Sequence, residues 1–150
     1  MDLKIKALSP KLGAEIPLPA YATAGSAGMD LRACIDEEIV LQPGGRAMVP
    51  TGLAIQLPGP GYVALVFARS GLAVKHGLTL SNGVGVIDSD DRGEVKVGLV
   101  NLGDAAYTLQ PGERIAQMAI VPVEQAHIQV VPELDDTDRG AGGFGSTGKQ

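Results

Sequence analysis

Asp88-Ser89-Asp90-Asp91-Arg92-Gly93 packs carboxylates and a hydroxyl into one short run ahead of a cation and a glycine. Such a run can hold a metal ion, carry a general base or solvate a turn. A calcium loop needs a ligand where Arg92 stands and a closing glutamate where Leu99 stands, so the EF-hand pattern is not met. On extended backbone Asp88 and Asp90 face one side and Ser89 and Asp91 the other, which leaves at most two of these carboxylates for one site. Further on, Gly143-Phe144-Gly145-Ser146-Thr147-Gly148-Lys149 satisfies G-x-x-x-x-G-K, but Gln150 stands where a Walker-type loop has Ser or Thr for magnesium. What survives is a run of glycine-rich amides able to form a nest for phosphate oxygens, with one stacking ring, Phe144, inside it.

The elements that must position these groups are short. Glycine (21) and proline (10) are too frequent among 150 residues for long helices, and the length suits one domain. Period-two segments recur at Leu3-Ile5-Ala7, Ile39-Val40-Leu41, Leu53-Ala54-Ile55, and residues 62–67, 94–100, 107–109, 114–121 and 127–131. Between them, Pro-Gly pairs at 43–44, 58–59 and 111–112 preset tight turns, which predicts an all-β chain of hairpins and Greek-key corners without crossover helices. One helical turn is predicted over residues 70–76, ended by Gly77. We expect a β domain over residues 1–134 and a glycine-rich lid over 135–150. Few aromatics leave an aliphatic core, and so thin a core is a reason to oligomerise.

Composition removes several functions. Lysine plus arginine number 12 and aspartate plus glutamate 17, a net charge of −5, which offers no footprint for nucleic acid. A polyanionic ligand must instead meet locally clustered cations or a divalent metal. Cys34 is alone, and with only His76 and His127 it makes neither a disulfide nor a structural zinc site. No apolar run approaches a membrane span, and the start alternates polar and apolar residues, so a cytoplasmic protein without membrane association is expected.

Five glycine-bearing segments follow one another: Ala27-Gly28-Met29-Asp30-Leu31, Ala68-Arg69-Ser70-Gly71-Leu72-Ala73, Asn82-Gly83-Val84-Gly85-Val86-Ile87-Asp88-Ser89-Asp90, Pro111-Gly112-Glu113-Arg114-Ile115-Ala116-Gln117, and Arg139-Gly140-Ala141-Gly142-Gly143-Phe144-Gly145-Ser146-Thr147-Gly148. In content and order they resemble the five motifs of the homotrimeric dUTP diphosphatase (dUTPase) family. The resemblance implies a jelly-roll-like β subunit with one short helix, assembled as a homotrimer with sites at subunit junctions. It also implies hydrolysis of dUTP to dUMP and pyrophosphate, with Mg2+ held by the triphosphate and water and no direct protein ligand. This reaction keeps uracil out of DNA and supplies dUMP for thymidylate synthesis.

By family position, Asp88 orients and deprotonates the attacking water, a role suited to a carboxylate. Gln117 holds the same water or the magnesium shell, or else is a core-edge amide. Arg69, Ser70 and Gly71 contact the phosphates through a guanidinium fork, a hydroxyl and a closely approaching amide. Asp30 meets magnesium-bound water or pins neighbouring loops, and Arg114 is a buried partner of an acidic group or a phosphate contact. Asn82 reads uracil through its donor and acceptor, with the backbone of Val86 and Ile87 and the strand near Lys96 closing a snug hairpin pocket. Phe144 stacks on the base, while Arg139 with Gly145, Ser146 and Thr147 clamps the γ-phosphate. Arg69, Arg139, Lys149 and magnesium together offset the triphosphate.

One residue departs from the pattern. Three positions after the catalytic aspartate the family carries a tyrosine that packs under the deoxyribose; here stands Asp91. The expectation is weaker dUTP binding and poorer exclusion of UTP. A different class of function, a trimeric dUTP-binding sensor or regulatory module with weakened catalysis, is the alternative. The related dCTP deaminases need a serine- and arginine-rich motif with a catalytic glutamate, which Ala68-Arg69-Ser70-Gly71-Leu72 does not supply.

Overall fold

A computed structural model describes residues 1–143. Their strands are β1 (Lys4–Ala7), β2 (Met29–Arg32), β3 (Ile39–Leu41), β4 (Arg46–Gln56), β5 (Tyr62–Ala68), β6 (Leu78–Leu80), β7 (Gly85–Ile87), β8 (Glu94–Asn101), β9 (Tyr107–Leu109) and β10 (Arg114–Pro122), with one helix, α1 (Ser70–His76). They form two four-stranded sheets, β1-β4-β8-β6 and β2-β10-β5-β7, and a small third sheet, β3-β9; every strand pair is antiparallel.

The all-β expectation and the short helix hold, but the hairpins do not. Among the described residues no two strands consecutive in sequence pair with each other. Each Pro-Gly turn is a corner that carries the chain from one sheet to another: 42–45 from β3 to β4, 57–61 from β4 to β5, and 110–113 from β9 to β10. The turn chemistry was therefore legible while the partner on its far side was not, because a Pro-Gly turn reverses the chain without choosing which strand it will pair with.

The two sheets share one aliphatic core. β8 alternates so that Val95, Val97, Leu99 and Asn101 point inward, and its three apolar side chains join Val49, Leu53 and Ile55 of β4, Ala64 and Val66 of β5, and Ala116 and Met118 of β10 in one cluster. β10 buries both Ile115 and Ala116 because its register against β2 shifts between Arg114 and Ala116, a bulge that turns Arg114 and Gln117 onto the outer surface. The buried polar side chains are satisfied: Thr51 Oγ1 donates to Val95 O at 2.5 Å, and Asn101 Nδ2 donates to Leu41 O at 2.9 Å and Ala105 O at 2.8 Å.

Residues 127–131, expected as a strand, form none. They pair with no strand among the described residues, and Ile128 and Val130 stand 85% and 97% exposed. Conversely β2, β6 and β7 went unread; each is held by its partner, β2 by β10, β7 by β5 and β6 by β8.

Helix α1 ends on Gly77, whose φ of 70° lets its N–H close the last turn onto Ala73 and Leu72. His76 then meets the Tyr107 ring edge-on at 5.1 Å, and the Tyr107 hydroxyl donates to Glu113. Burial, and then that carboxylate, push the Tyr107 pKa up to about 12, so the stability it adds is complete below the ordinary tyrosine range and fades as pH rises towards 12. A Cβ on Gly77 would lie 2.3 Å from Gly103 N. Gly77→Ala is therefore expected to cost more than the ~1–2 kcal/mol of left-handed strain alone, read as a fall in the denaturation midpoint, whereas Gly71→Ala, with open space around it, should leave the midpoint nearly unchanged.

Candidate active site

The motif residues gather in three places. The first lies on the outer surface where β2, β10 and β5 run side by side. Asp30 is opposite Gln117 across the β2–β10 ladder, and Gln117 is opposite Phe67 across β10–β5, so the end of β5 delivers Arg69 beside Asp30. Asp30 Oδ1 lies 3.1 Å from Arg69 Nε in an ion pair, and Oδ2 accepts from Arg114 Nη1 at 3.1 Å. Arg69 Nη1 also donates to Arg114 O at 3.3 Å. One carboxylate thus holds two guanidinium groups that would otherwise repel each other, with their remaining donors free to face an anion.

Gln117 is half-buried and donates from Nε2 to Ala68 O at 3.0 Å, one residue before Arg69. Gly28 leaves room for it, since a Cβ there would come within 3.1 Å of Gln117 Oε1. Gln117 thus stands at the strand edge beside Ala68, and Asp30 ties the end of β5 to β10 through its two arginines. Arg114 is the partner of an acidic group, as one reading had it, but half-exposed instead of buried. Ser70 and Gly71 open α1 directly after Arg69, the N-cap residue, whose side chain makes no capping bond to the helix.

The second place is a cavity of about 350 Å3 lined by Asn82, Val86, Ile87, Asp91 and Lys96, with Met48, Val66, Leu80 and Val97 as apolar walls. It is an arch rather than a hairpin: β7 edges one sheet, β6 edges the other, and the link carrying Asn82 crosses between them. Lys96 is drawn by Glu94, whose Oε2 lies 3.8 Å from Lys96 Nζ and whose Oε1 accepts from Gly52 N at 3.0 Å. Neither Glu94 nor Met48 carried any signal in the sequence, since both belong to the cavity only through the β4–β8 pairing.

The third place holds Asp88. Pairing of Ala64 with Ile87 puts it beside Val63, in a hollow of about 630 Å3 lined also by Tyr62, Ser89, Asp90 and Gln125. Residues 89–90 form a turn, so Ser89 shares the hollow with Asp88 and Asp90 instead of alternating away, while Asp91 faces the other cavity. Arg139 is exposed in a turn closed by Gly142 N donating to its carbonyl at 3.2 Å. Phe144, Gly145, Ser146 and Thr147 lie outside the described residues.

Asp88 and Arg69 stand at opposite ends of β5. Arg69 lies six positions beyond Val63, and at ~3.3 Å per residue that is about 20 Å of strand. Within one chain the two cannot touch the same phosphate. Among the described residues no group of three His, Cys, Asp or Glu side chains is arranged to hold a metal, and no helix is long and apolar enough to cross a membrane.

Comparison with known proteins gives this arrangement a family. The dUTPase family model matches residues 14–148. The deoxyuridine 5'-triphosphate nucleotidohydrolase of Hahella chejuensis is 58% identical over 146 residues, covering 97% of this chain and 96% of its own. Among solved structures, the dUTPase of Staphylococcus bacteriophage 80alpha with dUPNHPP superposes with a TM-score of 0.86 at 28% identity, covering 99% of both chains. A mutant dUTPase from phage phi11 of S. aureus, described as revealing the coordination of a structural Mg(II) ion, superposes with a TM-score of 0.77 at 25% identity, over 89% of this chain and 98% of its own.

Proposed function

The chain belongs to the dUTPase family and hydrolyses dUTP, and we propose that it does so at sites each assembled from more than one copy, with Asp88 of one copy aiming water at the α-phosphorus beside Arg69 of another. The observation that carries this reading is the separation of the two along β5, which leaves either half incomplete alone. A homotrimer supplies the missing half. The exposed apolar side chains Ile128, Val130 and Leu134 support such an assembly, because 85%, 97% and 87% exposure is costly unless another copy covers them.

The residues divide the work by chemistry. Asn82, with the backbone of Val86 and Ile87, pairs with the uracil edge above the apolar walls; thymine's methyl is too large for the arch, and cytosine presents the wrong hydrogen-bond polarity. Lys96 borders the same cavity. Asp88 accepts the proton of the attacking water as it adds to the α-phosphorus, and the bond to the bridging oxygen breaks to release pyrophosphate. Arg69, with Ser70 and Gly71 behind it, meets the charge that gathers on the leaving group. Asp30 and Arg114 hold Arg69 in place, and Gln117 buttresses the strand end that carries it. Residues 135–150 act as a lid, with Arg139, Gly145, Ser146 and Thr147 on the γ-phosphate and Phe144 on the base.

Mg2+ is the cofactor in this reading. Both oxygens of Asp30 are already taken by guanidinium groups, a donor set that fits a carboxylate meeting the ion only through bound water. When bound with the triphosphate, Mg2+ would supply positive charge to offset that of the phosphate oxygens. The test is pyrophosphate release with dUTP, UTP, dTTP and dCTP, with products identified. Rapid release from dUTP and almost none from dTTP or dCTP is expected; tight dUTP binding without release would favour the sensor reading.

A further inference from the structure

The chain has four methionines, and they differ in what covers them. Met29 and Met118 are core residues at 5% and 0% exposure, Met1 is the first residue, and Met48 lies inside strand β4 yet is 66% exposed. The cause is its cross-strand partner. Met48 faces Gly98 across the β4–β8 ladder, and glycine has no side chain to lay over the thioether: a Cβ at Gly98 would come within 3.7 Å of Met48 Cε and 4.0 Å of Sδ. The same Cβ would lie 2.8 Å from Ser81 Oγ, which donates to Gly98 O at 3.2 Å, so Ser81 crowds any larger residue at that position. The sulfur is left uncovered on the wall of the 350 Å3 cavity.

An apolar, polarisable thioether is well suited to pack against a planar base. It is also oxidisable. A sulfur lone pair takes one oxygen from hydrogen peroxide, the O–O bond breaks, water leaves, and the sulfur has lost two electrons to the oxidant. The sulfoxide is polar where the thioether was not, and its oxygen holds water that has to be removed when a base enters. Two side-chain donors line the cavity and could take the place of that water. Asn82 is committed to the base edge in the reading above, and Lys96 is drawn towards Glu94.

We propose that Met48 is a redox-sensitive modification site: oxidation to the sulfoxide by a hydroperoxide makes one wall of the base cavity polar and weakens nucleotide binding, and reduction restores it. This rests on the reading of that cavity as the base pocket and adds to it a chemical control. The chemical step is spared, because Asp88 lies in the other hollow.

The experiment treats the parent and Met48→Leu with dilute hydrogen peroxide, locates the added oxygen by peptide mass, and measures KM and kcat for dUTP with Mg2+. Each protein is compared with its own untreated sample, so whatever the substitution does to the starting constants drops out, and oxidation at Cys34 is common to both. Met48 is expected to oxidise before Met29 and Met118. KM of the treated parent is expected to rise by about tenfold, the order of one polar group buried without a partner, with kcat little changed. Inhibition by dUMP weakens by the same factor, which reads the cavity without catalysis, and a methionine sulfoxide reductase with a dithiol reverses both. Treated Met48→Leu keeps its own KM. A parent that carries the sulfoxide at Met48 with KM unchanged, an equal rise in Met48→Leu, or a Met48 that resists peroxide while the buried methionines react overturns the proposal and leaves dUTP hydrolysis intact. An untreated parent inert on dUTP overturns the underlying reading instead.

Discussion

Asp88→Asn lowers kcat for dUTP by about 10² to 10⁴, the usual worth of a general base in proton transfer, while KM moves little. The substitution keeps size and shape and removes only the ability to take a proton. Asp88 is exposed in its hollow, and its backbone oxygen still accepts Asp91 N, so the turn survives the change and the thermal midpoint should not shift. Rapid-quench measurement of the first turnover separates chemistry from product release. A variant that cleaves at the parent rate would remove Asp88 from the mechanism.

Arg69→Ala is expected to act differently. It removes the guanidinium proposed to meet the leaving pyrophosphate and leaves Asp30 paired with Arg114 alone. Charge-assisted hydrogen bonds are worth about 1.5 to 3 kcal/mol each, so losing one or two lowers kcat/KM by roughly 10- to 10⁴-fold. Lysine should recover little of this, because a point charge cannot bridge Asp30 Oδ1, Arg114 O and a phosphate at once. Asp30→Asn gives a milder loss, since it frees Arg69 without deleting it. Comparing the KM and kcat of the three variants distinguishes an arginine that binds from one that must also be held.

Much of this was legible in the chain itself, for reasons that differ by residue. The Ser70–His76 helix with its Gly77 stop could be read because a left-handed C-cap is a local event. Strand β8 could be read because one of its faces is buried along its whole length. Asn82, Val86, Ile87 and Lys96 were expected together and line one cavity, which Asp91 also borders; Asp30, Arg69, Arg114 and Gln117 meet through two ladders.

What stayed hidden depends on distant partners. Residues 127–131 alternate like a strand but pair with no strand among the described residues, and β7 is held as a strand by β5 beside it. Glu94 and Met48 line the base cavity through strand pairing that no local pattern encodes. The gap between Asp88 and Arg69 is likewise a property of register, visible only once Ala64 is known to face Ile87.

Mixing two inactive chains tests that gap most directly. Asp88→Asn and Arg69→Ala subunits, carrying different tags, are unfolded and refolded together in equal amounts, mixed assemblies are isolated through both tags, and dUTP hydrolysis is measured. If each site takes Asp88 from one copy and Arg69 from the next around a threefold ring, every mixed trimer regains both residues at about a third of its sites. Activity then returns to a similar fraction of the parent's, while each variant refolded alone stays inactive. Mixed assemblies as inactive as their components would mean that both residues serve a site from the same chain, and the shared-site account would be wrong.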